Sequence, residues 1–369
     1  MSADEFLTHR FPPVEYMRWA KSQLGRVRYP LSGSAIPNVT AAELGIQTEE
    51  IRISQRSQDG DSGVLDFLSL HFDVPRERIF VTHGTTLAVY VMAAAVLPPG
   101  GEALMESPGY EPLAAAVRSI GGRVSYFSRP FDRGFQPDPA EIAGKLRAGA
   151  SLVILTNLHN PSGVALAPGV FAEIAAAAEA TGAWVLADEV YLEALGAGRE
   201  LMAARQPGRI ISAASVSKVY GLSGIRIGWA IAPAAVVRRA YEIADYLTVE
   251  TSTAADSVFL KAATRFDALI QRSRAICRER WHIVNHWLAS RSGLACVPPA
   301  GGAICFPKLP TGASADQLFP LALKRDTLIV PGRFFQADNH FRLGYSLPPA
   351  DLIIALERLG SALDELEHC

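Results

Sequence analysis

Short apolar runs rich in β-branched residues alternate with helical patterns between residues 79 and 230, and this alternation constrains the fold more than any other feature. Most of the runs are separated by 15–25 residues that contain a helical pattern. Such alternation favours a mostly parallel sheet that is covered by helices on both faces. The candidate strands are 79–82, 103–106, 124–127, 152–156, 184–187, 210–213 and 225–231.

The regular alternation of strand and helix patterns ends at about residue 250. A long helical pattern covers residues 254–290, and short strand patterns bounded by turn residues follow at 301–307 and 341–345. Leucines at 352, 356, 359, 363 and 366 are spaced by four and three residues in turn, which predicts one face of an amphipathic helix.

With 369 residues, the chain is long enough for two or three domains. This change in the secondary-structure pattern predicts a large α/β domain over residues 46–250 and a smaller α+β domain over residues 251–369. The first 45 residues contain four prolines, and we expect residues 1–45 to form an N-terminal arm that belongs with the small domain.

The charge balance excludes whole-chain attraction to a polyanion. The sequence has 35 basic and 37 acidic residues, so its net charge is −2 and no field of one sign draws it onto nucleic acid or anionic lipid. The longest apolar stretch, 87–97, has 11 residues and is too short to span a bilayer. We therefore expect neither a nucleic-acid partner nor a membrane partner.

Four cysteines, at positions 277, 296, 305 and 369, form no C-x-x-C pair. Their spacing is typical of reduced thiols in a cytoplasmic protein, which is the location that we expect. His282 and His286 are four residues apart on a predicted helix, but no further ligand completes a metal site with them, so no metal is expected.

Polar residues and glycines follow four of the candidate strands at the point where each strand ends. Because the carboxyl ends of parallel strands meet at one edge of a sheet, where ligands bind in open α/β folds, these residues are expected to lie together. Each residue alone has an ordinary explanation as part of a turn, a helix cap or an ion pair, but the set together indicates a ligand-binding site. The set is Gly84, Thr85, Thr86, Asn160, Asp188, Tyr191, Ser215, Lys218 and Arg226.

Three of these stretches carry a family resemblance. The stretch SVSKVYGLSGIRIG at 215–228 resembles the lysine signature of the class I/II aminotransferases, fold type I enzymes that use pyridoxal 5'-phosphate (PLP). NPSG at 160–163 and DEVY at 188–191 also resemble this family, and the resemblance extends over roughly residues 30–350. It implies the PLP cofactor, a large domain with a mostly parallel central sheet covered by helices, and a smaller α+β domain.

The resemblance assigns roles to four residues. Lys218 would hold the cofactor aldehyde as a Schiff base, since a deprotonated lysine amine is a nucleophile. Asp188 matches the carboxylate that keeps the pyridine nitrogen protonated, so that the ring draws electrons from the substrate Cα. Asn160 and Tyr191 match the donors to the ring oxygen. The expected catalytic residues are Lys218, Asp188 and Tyr191.

The cofactor phosphate needs donors and positive charge. The start of the helix that follows strand 79–82 would offer backbone N–H groups to the phosphate. A serine hydroxyl would supply a further donor, and an arginine guanidinium would supply paired N–H donors and a positive charge. By resemblance these groups belong to Gly84, Thr85, Thr86, Ser215 and Arg226.

The remaining expected contacts concern the ring face and the substrate. Tyr110 matches the aromatic residue that stacks on the cofactor ring. Arg342 matches the arginine whose bidentate guanidinium binds the substrate α-carboxylate. Gly33 matches a glycine in the loop that closes over the substrate, and Asn160 is expected to contact the substrate as well.

Two positions depart from the family pattern. Relatives usually carry a tyrosine five residues before the glycine at Gly63, where it reaches the phosphate of the neighbouring subunit, and here that position is Gln58. Ile304 and Cys305 stand where an aromatic residue is common. These departures are compatible with a specialised substrate or a changed reaction.

The resemblance implies an aminotransferase that moves an amino group between an L-amino acid and a 2-oxo acid. It also implies a homodimer with shared active sites, to which residues 246–253 would contribute. A PLP-dependent lyase, cyclase or oxidase of amino-acid or specialised metabolism is the alternative, because the same residues serve those reactions. A PLP-binding regulator would need an attached DNA-binding domain, and the first 45 residues show no helix-turn-helix pattern.

Overall fold

The computed structural model describes residues 11–54 and 59–367. Its strands are β1 (Tyr29–Pro30), β2 (Ile79–Thr82), β3 (Glu102–Ser107), β4 (Arg123–Ser128), β5 (Leu152–Thr156), β6 (Trp184–Asp188), β7 (Ile210–Ser215), β8 (Gly228–Ile231), β9 (Ile304–Cys305), β10 (Thr327–Leu328), β11 (Val330–Pro331) and β12 (Phe341–Gly344). Its α-helices are α1 (Glu15–Ser22), α2 (Ala41–Leu44), α3 (Ser62–Phe72), α4 (Thr85–Val96), α5 (Glu111–Ser119), α6 (Pro139–Arg147), α7 (Val170–Thr181), α8 (Ala234–Ala244), α9 (Thr253–Ala263), α10 (Phe266–Ala289), α11 (Ala315–Lys324) and α12 (Pro349–Glu367).

A seven-stranded sheet in the order β2-β8-β7-β6-β5-β3-β4 forms the centre of the molecule. All neighbouring pairs are parallel except those of β8, which runs antiparallel to both β2 and β7. The prediction of a mostly parallel sheet with helices around it is confirmed. All seven candidate strands of the sequence are present.

Strand β5 shows why helices cover both faces of the sheet. All five of its residues are buried. Leu152 and Ile154 belong to an apolar cluster on one face, whereas Val153 and Leu155 belong to a cluster on the other. Since successive side chains of a strand point to opposite faces, a strand that is apolar throughout needs cover on both sides.

Several predicted elements differ in their bounds: the strand pattern at 301–307 is reduced to β9, and two further differences are larger. The strand expected at 225–231 begins only at Gly228, because Arg226 has a φ of +58°, which no strand residue adopts. The long helix expected over 254–290 is two helices, α9 and α10, which are separated at Thr264 and Arg265.

The C-terminal part of the chain builds a second core. Strands β11, β12 and β9 form an antiparallel sheet, and residues of α10, α11 and α12 pack with it in one apolar cluster. Tyr29, Leu31 and Ile36 belong to the same cluster, and β1 pairs in parallel with β10. The N-terminal segment thus packs with the C-terminal core, while the expected domain boundaries stay a prediction. Within the described ranges, no helix combines the length and the apolar character that a membrane crossing requires.

Candidate active site

A cavity of about 240 Å³ lies at the carboxyl ends of the central strands. Eight of the residues that the sequence predicts for the site line it: Thr85, Thr86, Tyr110, Asn160, Asp188, Tyr191, Lys218 and Arg226. These residues come from the ends of four different strands and from the turn before α5. The topology therefore brings together residues that are as much as 141 positions apart in the chain, from Thr85 to Arg226.

Lys218 follows β7 and points its amine into the cavity. Burial lowers the pKa of this amine to about 8, and the positive charges of Arg342 and Arg226 add to the effect against the attraction of Asp188. Lys218 Nζ donates a hydrogen bond to Ser34 Oγ over 2.9 Å. An amine with this pKa is partly neutral near physiological pH, which is the form that reacts as a nucleophile or accepts a proton.

Asp188 is the last residue of β6 and is buried. Burial raises the pKa of its carboxyl to about 7, although the N–H of Val190, which donates to Oδ1 over 3.1 Å, and the charge of Lys218 oppose the rise. A buried carboxyl that can still ionise is a strong partner for a protonated ring nitrogen, because the low local polarity strengthens the attraction between them.

Asn160 and Tyr191 lie beside Lys218 in the lining. The backbone N–H of Asn160 donates to Thr156 Oγ1 over 2.8 Å, which fixes the turn after β5. The Tyr191 hydroxyl donates to the carbonyl oxygen of Ser34 over 2.9 Å, and burial raises its pKa to about 12. The Asn160 Nδ2–H groups are therefore available to a ligand, whereas the Tyr191 hydroxyl stays protonated at neutral pH and directs its one hydrogen to Ser34.

The start of α4 forms a cradle that fits a phosphate. Gly84 has a φ of +89°, and a Cβ on it would lie 2.5 Å from Arg226 Nη2, so only a glycine leaves room there for the guanidinium. Thr85 Oγ1 is buried and has no hydrogen-bond partner among the residues that the structure describes. An unpartnered hydroxyl, a helix N-terminus and an arginine at one point suit the phosphate of PLP.

Ser215 is not part of the cavity lining, but its hydroxyl contacts a residue that is. It is buried at the end of β7, and its Oγ is 2.7 Å from Ser217 Oγ. Ser217, not Ser215, lines the cavity. Ser217 is therefore the serine of this stretch that reaches the cavity, and its hydroxyl is paired with that of Ser215.

Tyr110 presents its ring to the cavity just before α5. Its hydroxyl contacts Met17 Sδ at 3.7 Å, and its ring meets that of Tyr16 edge to face with centroids 5.6 Å apart. Burial and the neighbouring Tyr16 raise the Tyr110 pKa. Helix α1 therefore holds the ring that is expected to stack on the cofactor.

Arg342 stands on β12 with a side chain that is almost wholly buried. Its Nη1 donates to Asn160 Oδ1 over 3.0 Å, and its Nη2 donates to the Tyr16 hydroxyl over 2.6 Å and to the Ser32 carbonyl over 3.3 Å. Nε has no partner. Burial acts to lower the Arg342 pKa, but Tyr16 and Tyr191 outweigh it, so the pKa is raised and the group stays a cation.

Gly33, Gly84 and Arg342 are not among the lining residues, but the two glycines shape the cavity. A Cβ on Gly344 would overlap the carbonyl oxygen of Gly33, so the segment that carries Gly33 presses directly on the strand of Arg342. This contact places the next residue, Ser34, in the lining. Gly33 thus affects the site by positioning the backbone that carries Ser34, and not by a contact of its own with the cavity.

Sequence reasoning missed three lining residues of the N-terminal segment, Met17, Ser34 and Ala35, and also missed Tyr16. No motif marks them, and Ser34 is 184 positions from Lys218. Ile304, one of the departures, packs with Leu158 and Tyr191 and so supports a lining residue. The other departure, Gln58, falls outside the described residues.

Behind the cavity, a buried ion pair joins Glu106 and Arg129 at 2.7 Å. Glu106 Oε1 accepts hydrogen bonds from the backbone N–H and the hydroxyl of Thr156. Because Thr156 Oγ1 in turn accepts from Asn160, this pair supports the turn that carries Asn160.

Comparisons with known proteins agree with this geometry. The sequence model of the family described as aminotransferase class I and II matches residues 62–359. A capreomycidine synthase from Streptomyces vinaceus is 26% identical over 365 residues, which is 95% of this chain and 94% of that protein. An arginine–pyruvate transaminase from Pseudomonas aeruginosa is 28% identical over 300 residues, 79% of this chain and 76% of that protein.

Solved structures show the same fold. A PLP-dependent aminotransferase from Streptococcus suis superimposes with a TM-score of 0.89 at 24% identity, covering 96% of this chain and 98% of its own. The PLP-dependent cyclase OrfR superimposes with a TM-score of 0.84 at 25% identity, covering 96% and 97%. The family match over most of the chain shows that this protein belongs to the class I and II aminotransferases, the fold type I family whose cofactor is pyridoxal 5'-phosphate.

Proposed function

We propose that the protein is an aminotransferase that moves an amino group between an L-amino acid and a 2-oxo acid. The observation that carries the proposal is the placement of Lys218 and Asp188 in one buried cavity, with pKa values brought to about 8 and about 7. The amine and the carboxyl can both change protonation near neutral pH, as acid–base chemistry at a substrate carbon requires.

When bound, PLP supplies an aldehyde that condenses with amino groups and a ring that accepts electron density from the substrate Cα. Thr85, Thr86 and Arg226 would hold its phosphate, and Asp188 would keep a proton on its ring nitrogen. Arg342 would orient the substrate by its carboxylate. Lys218 would take the proton from the substrate Cα and hold it for the next transfer.

A cyclase is the second candidate function. The capreomycidine synthase aligns over 95% of this chain, whereas the arginine–pyruvate transaminase aligns over 79%. In a cyclase the same residues would bind the amino acid and remove the Cα proton. The reactions diverge after that proton is removed: in a transaminase the nitrogen leaves the substrate, whereas in a cyclase it stays and a ring bond replaces the bond to a leaving group.

Incubation with PLP and a panel of L-amino acids, without any oxo acid, separates the two candidates. Transamination predicts one equivalent of 2-oxo acid per subunit and a stable change of the cofactor absorbance. A cyclase predicts many turnovers of an amino acid to a product that keeps its nitrogen, which mass spectrometry detects. Such turnover would overturn the aminotransferase proposal in favour of the cyclase.

We also propose that the protein is a homodimer. Tyr246 and Val249, in the segment for which the sequence predicts a role at the partner's site, are 90% and 70% exposed in the single chain. Large apolar side chains at such exposure are typical of surfaces that a partner covers. Light scattering after size-exclusion chromatography should give twice the chain mass of 39.6 kDa. A mass of 39.6 kDa would contradict the dimer.

A further inference from the structure

We propose that Ser34 is a positioning residue for Lys218. Its hydroxyl takes one N–H of the Lys218 amine and so aims the nitrogen lone pair at the substrate Cα. This inference rests on the proposed function, in which Lys218 moves the Cα proton, and it adds a residue from the N-terminal segment to that step.

The contacts of Ser34 reach two residues of the site at once. Ser34 Oγ is 2.9 Å from Lys218 Nζ, and the Ser34 carbonyl oxygen accepts the Tyr191 hydroxyl over 2.9 Å. All three residues line the cavity. Ser34 thus contacts both the Lys218 amine and the Tyr191 hydroxyl within the cavity.

Backbone contacts hold the segment in place on both sides of Ser34. The N–H of Gly344 donates to the Leu31 carbonyl over 2.7 Å, and the N–H of Ile36 donates to the Lys218 carbonyl over 3.4 Å. Further along, the N–H of Val39 donates to the Gly221 carbonyl over 2.9 Å. None of these bonds uses the Ser34 side chain, so we expect variants at this position to keep the path of the segment.

The physical argument concerns rotation about the Cε–Nζ bond of Lys218. A neutral amine has two N–H groups and one lone pair, and it accepts a proton only along the lone pair. An acceptor fixed at 2.9 Å from Nζ favours rotations that direct an N–H toward it. The lone pair is then restricted to directions away from Ser34 Oγ. Because fewer orientations of the amine are populated, a larger fraction of them can accept the Cα proton.

Ser34→Thr and Ser34→Val form a matched pair, because the two side chains have nearly the same shape and differ by the hydroxyl. A Ser119→Ala variant, which removes a hydroxyl bonded to the Ala116 carbonyl on α5, serves as the control. Exchange of the substrate Cα hydrogen in D₂O, followed by NMR, reports the proton transfer. We expect it to be roughly tenfold slower in Ser34→Val than in Ser34→Thr, with KM nearly unchanged.

A second readout uses the cofactor-free protein and no substrate. Acetic anhydride labels neutral amines, so the labelling rate of Lys218 as a function of pH gives its pKa. An acceptor hydroxyl stabilises the ammonium form, so the labelling curve of Ser34→Val should lie at lower pH than that of Ser34→Thr. A purely structural role for Ser34 would alter thermal stability but would not separate the two curves.

Equal labelling curves for the pair would overturn the proposal, and so would equal rates of Cα exchange. If wild-type protein exchanges no Cα hydrogen with any amino acid, the proposed function fails, while the labelling curves still decide whether Ser34 acts on Lys218. If Ser34→Val melts well below Ser34→Thr, Ser34→Ala compared with wild type replaces the pair.

Discussion

Arg342 Nη1 donates to Asn160 Oδ1 over 3.0 Å, which joins a strand near the C-terminal end of the chain to the turn after β5. With Oδ1 engaged, the Asn160 amide has its Nδ2–H groups left for a ligand in the cavity that it lines. Together with the bonds from Nη2 to Tyr16 and Ser32, the same bond orients the Arg342 guanidinium. The contact thus links a proposed cofactor donor to a proposed carboxylate site.

The first prediction concerns Arg342. Arg342→Lys keeps the charge but loses the planar fork, so we expect kcat/KM for the amino-acid substrate to fall about 100-fold, mainly through KM. Arg333→Lys is the matched control, because Arg333 is surface-exposed and pairs with Asp316. Steady-state kinetics on the purified variants gives both values. An unchanged KM in Arg342→Lys would contradict the assignment of the carboxylate to this residue.

The second prediction concerns the phosphate cradle. Thr85→Val removes a buried hydroxyl without a partner, so we expect the cofactor-free protein to melt at or above the wild-type temperature. The Kd for PLP should rise about tenfold, because the phosphate loses one donor. Absorbance titration measures this Kd.

Thr82→Val is the control for Thr85→Val. Thr82 Oγ1 is also buried and meets no partner in residues 11–54 and 59–367, but Thr82 is not part of the cavity lining. We expect no change in the Kd for PLP in this variant. Equal Kd values for the two variants would show that the Thr85 hydroxyl does not meet the phosphate.

The central sheet and the residues at its edge could be predicted from the sequence for a physical reason. Strand periodicity is local, and the carboxyl ends of parallel strands must meet, so the sequence alone predicts that Asn160, Asp188 and Lys218 lie together. Ser34 and Tyr16 could not be placed in this way, because the N-terminal segment reaches the cavity through long-range packing on β12. No local pattern encodes that path.

The third prediction concerns Asp188 and pH in the cofactor-free protein. Its pKa of about 7 lies above the usual value of 3.8, so between these pH values the folded state binds more protons than the unfolded state. Stability contributed by the protonated form is therefore lost as pH rises from about 4 to 7, by up to about 1.4 kcal/mol per pH unit.

Urea unfolding of wild type and Asp188→Asn over this pH range isolates the effect, because all other groups titrate in both proteins. We expect the free energy of unfolding of Asp188→Asn to fall less steeply with pH than that of wild type. Parallel curves would mean that the Asp188 pKa is not raised in the folded protein.

The fourth prediction concerns Glu106 and Arg129, a fully buried pair. Glu106→Gln leaves the Arg129 charge without its counter-ion, so we expect the free energy of unfolding to fall by about 3–5 kcal/mol. Replacing both residues, in Glu106→Gln with Arg129→Met, removes that unpaired charge and should recover part of the loss. The surface pair Arg239 and Glu242 offers a control, since Glu242→Gln should change stability by less than about 1 kcal/mol. If the double variant is less stable than Glu106→Gln by the full cost of Arg129→Met alone, the two side chains do not stabilise each other.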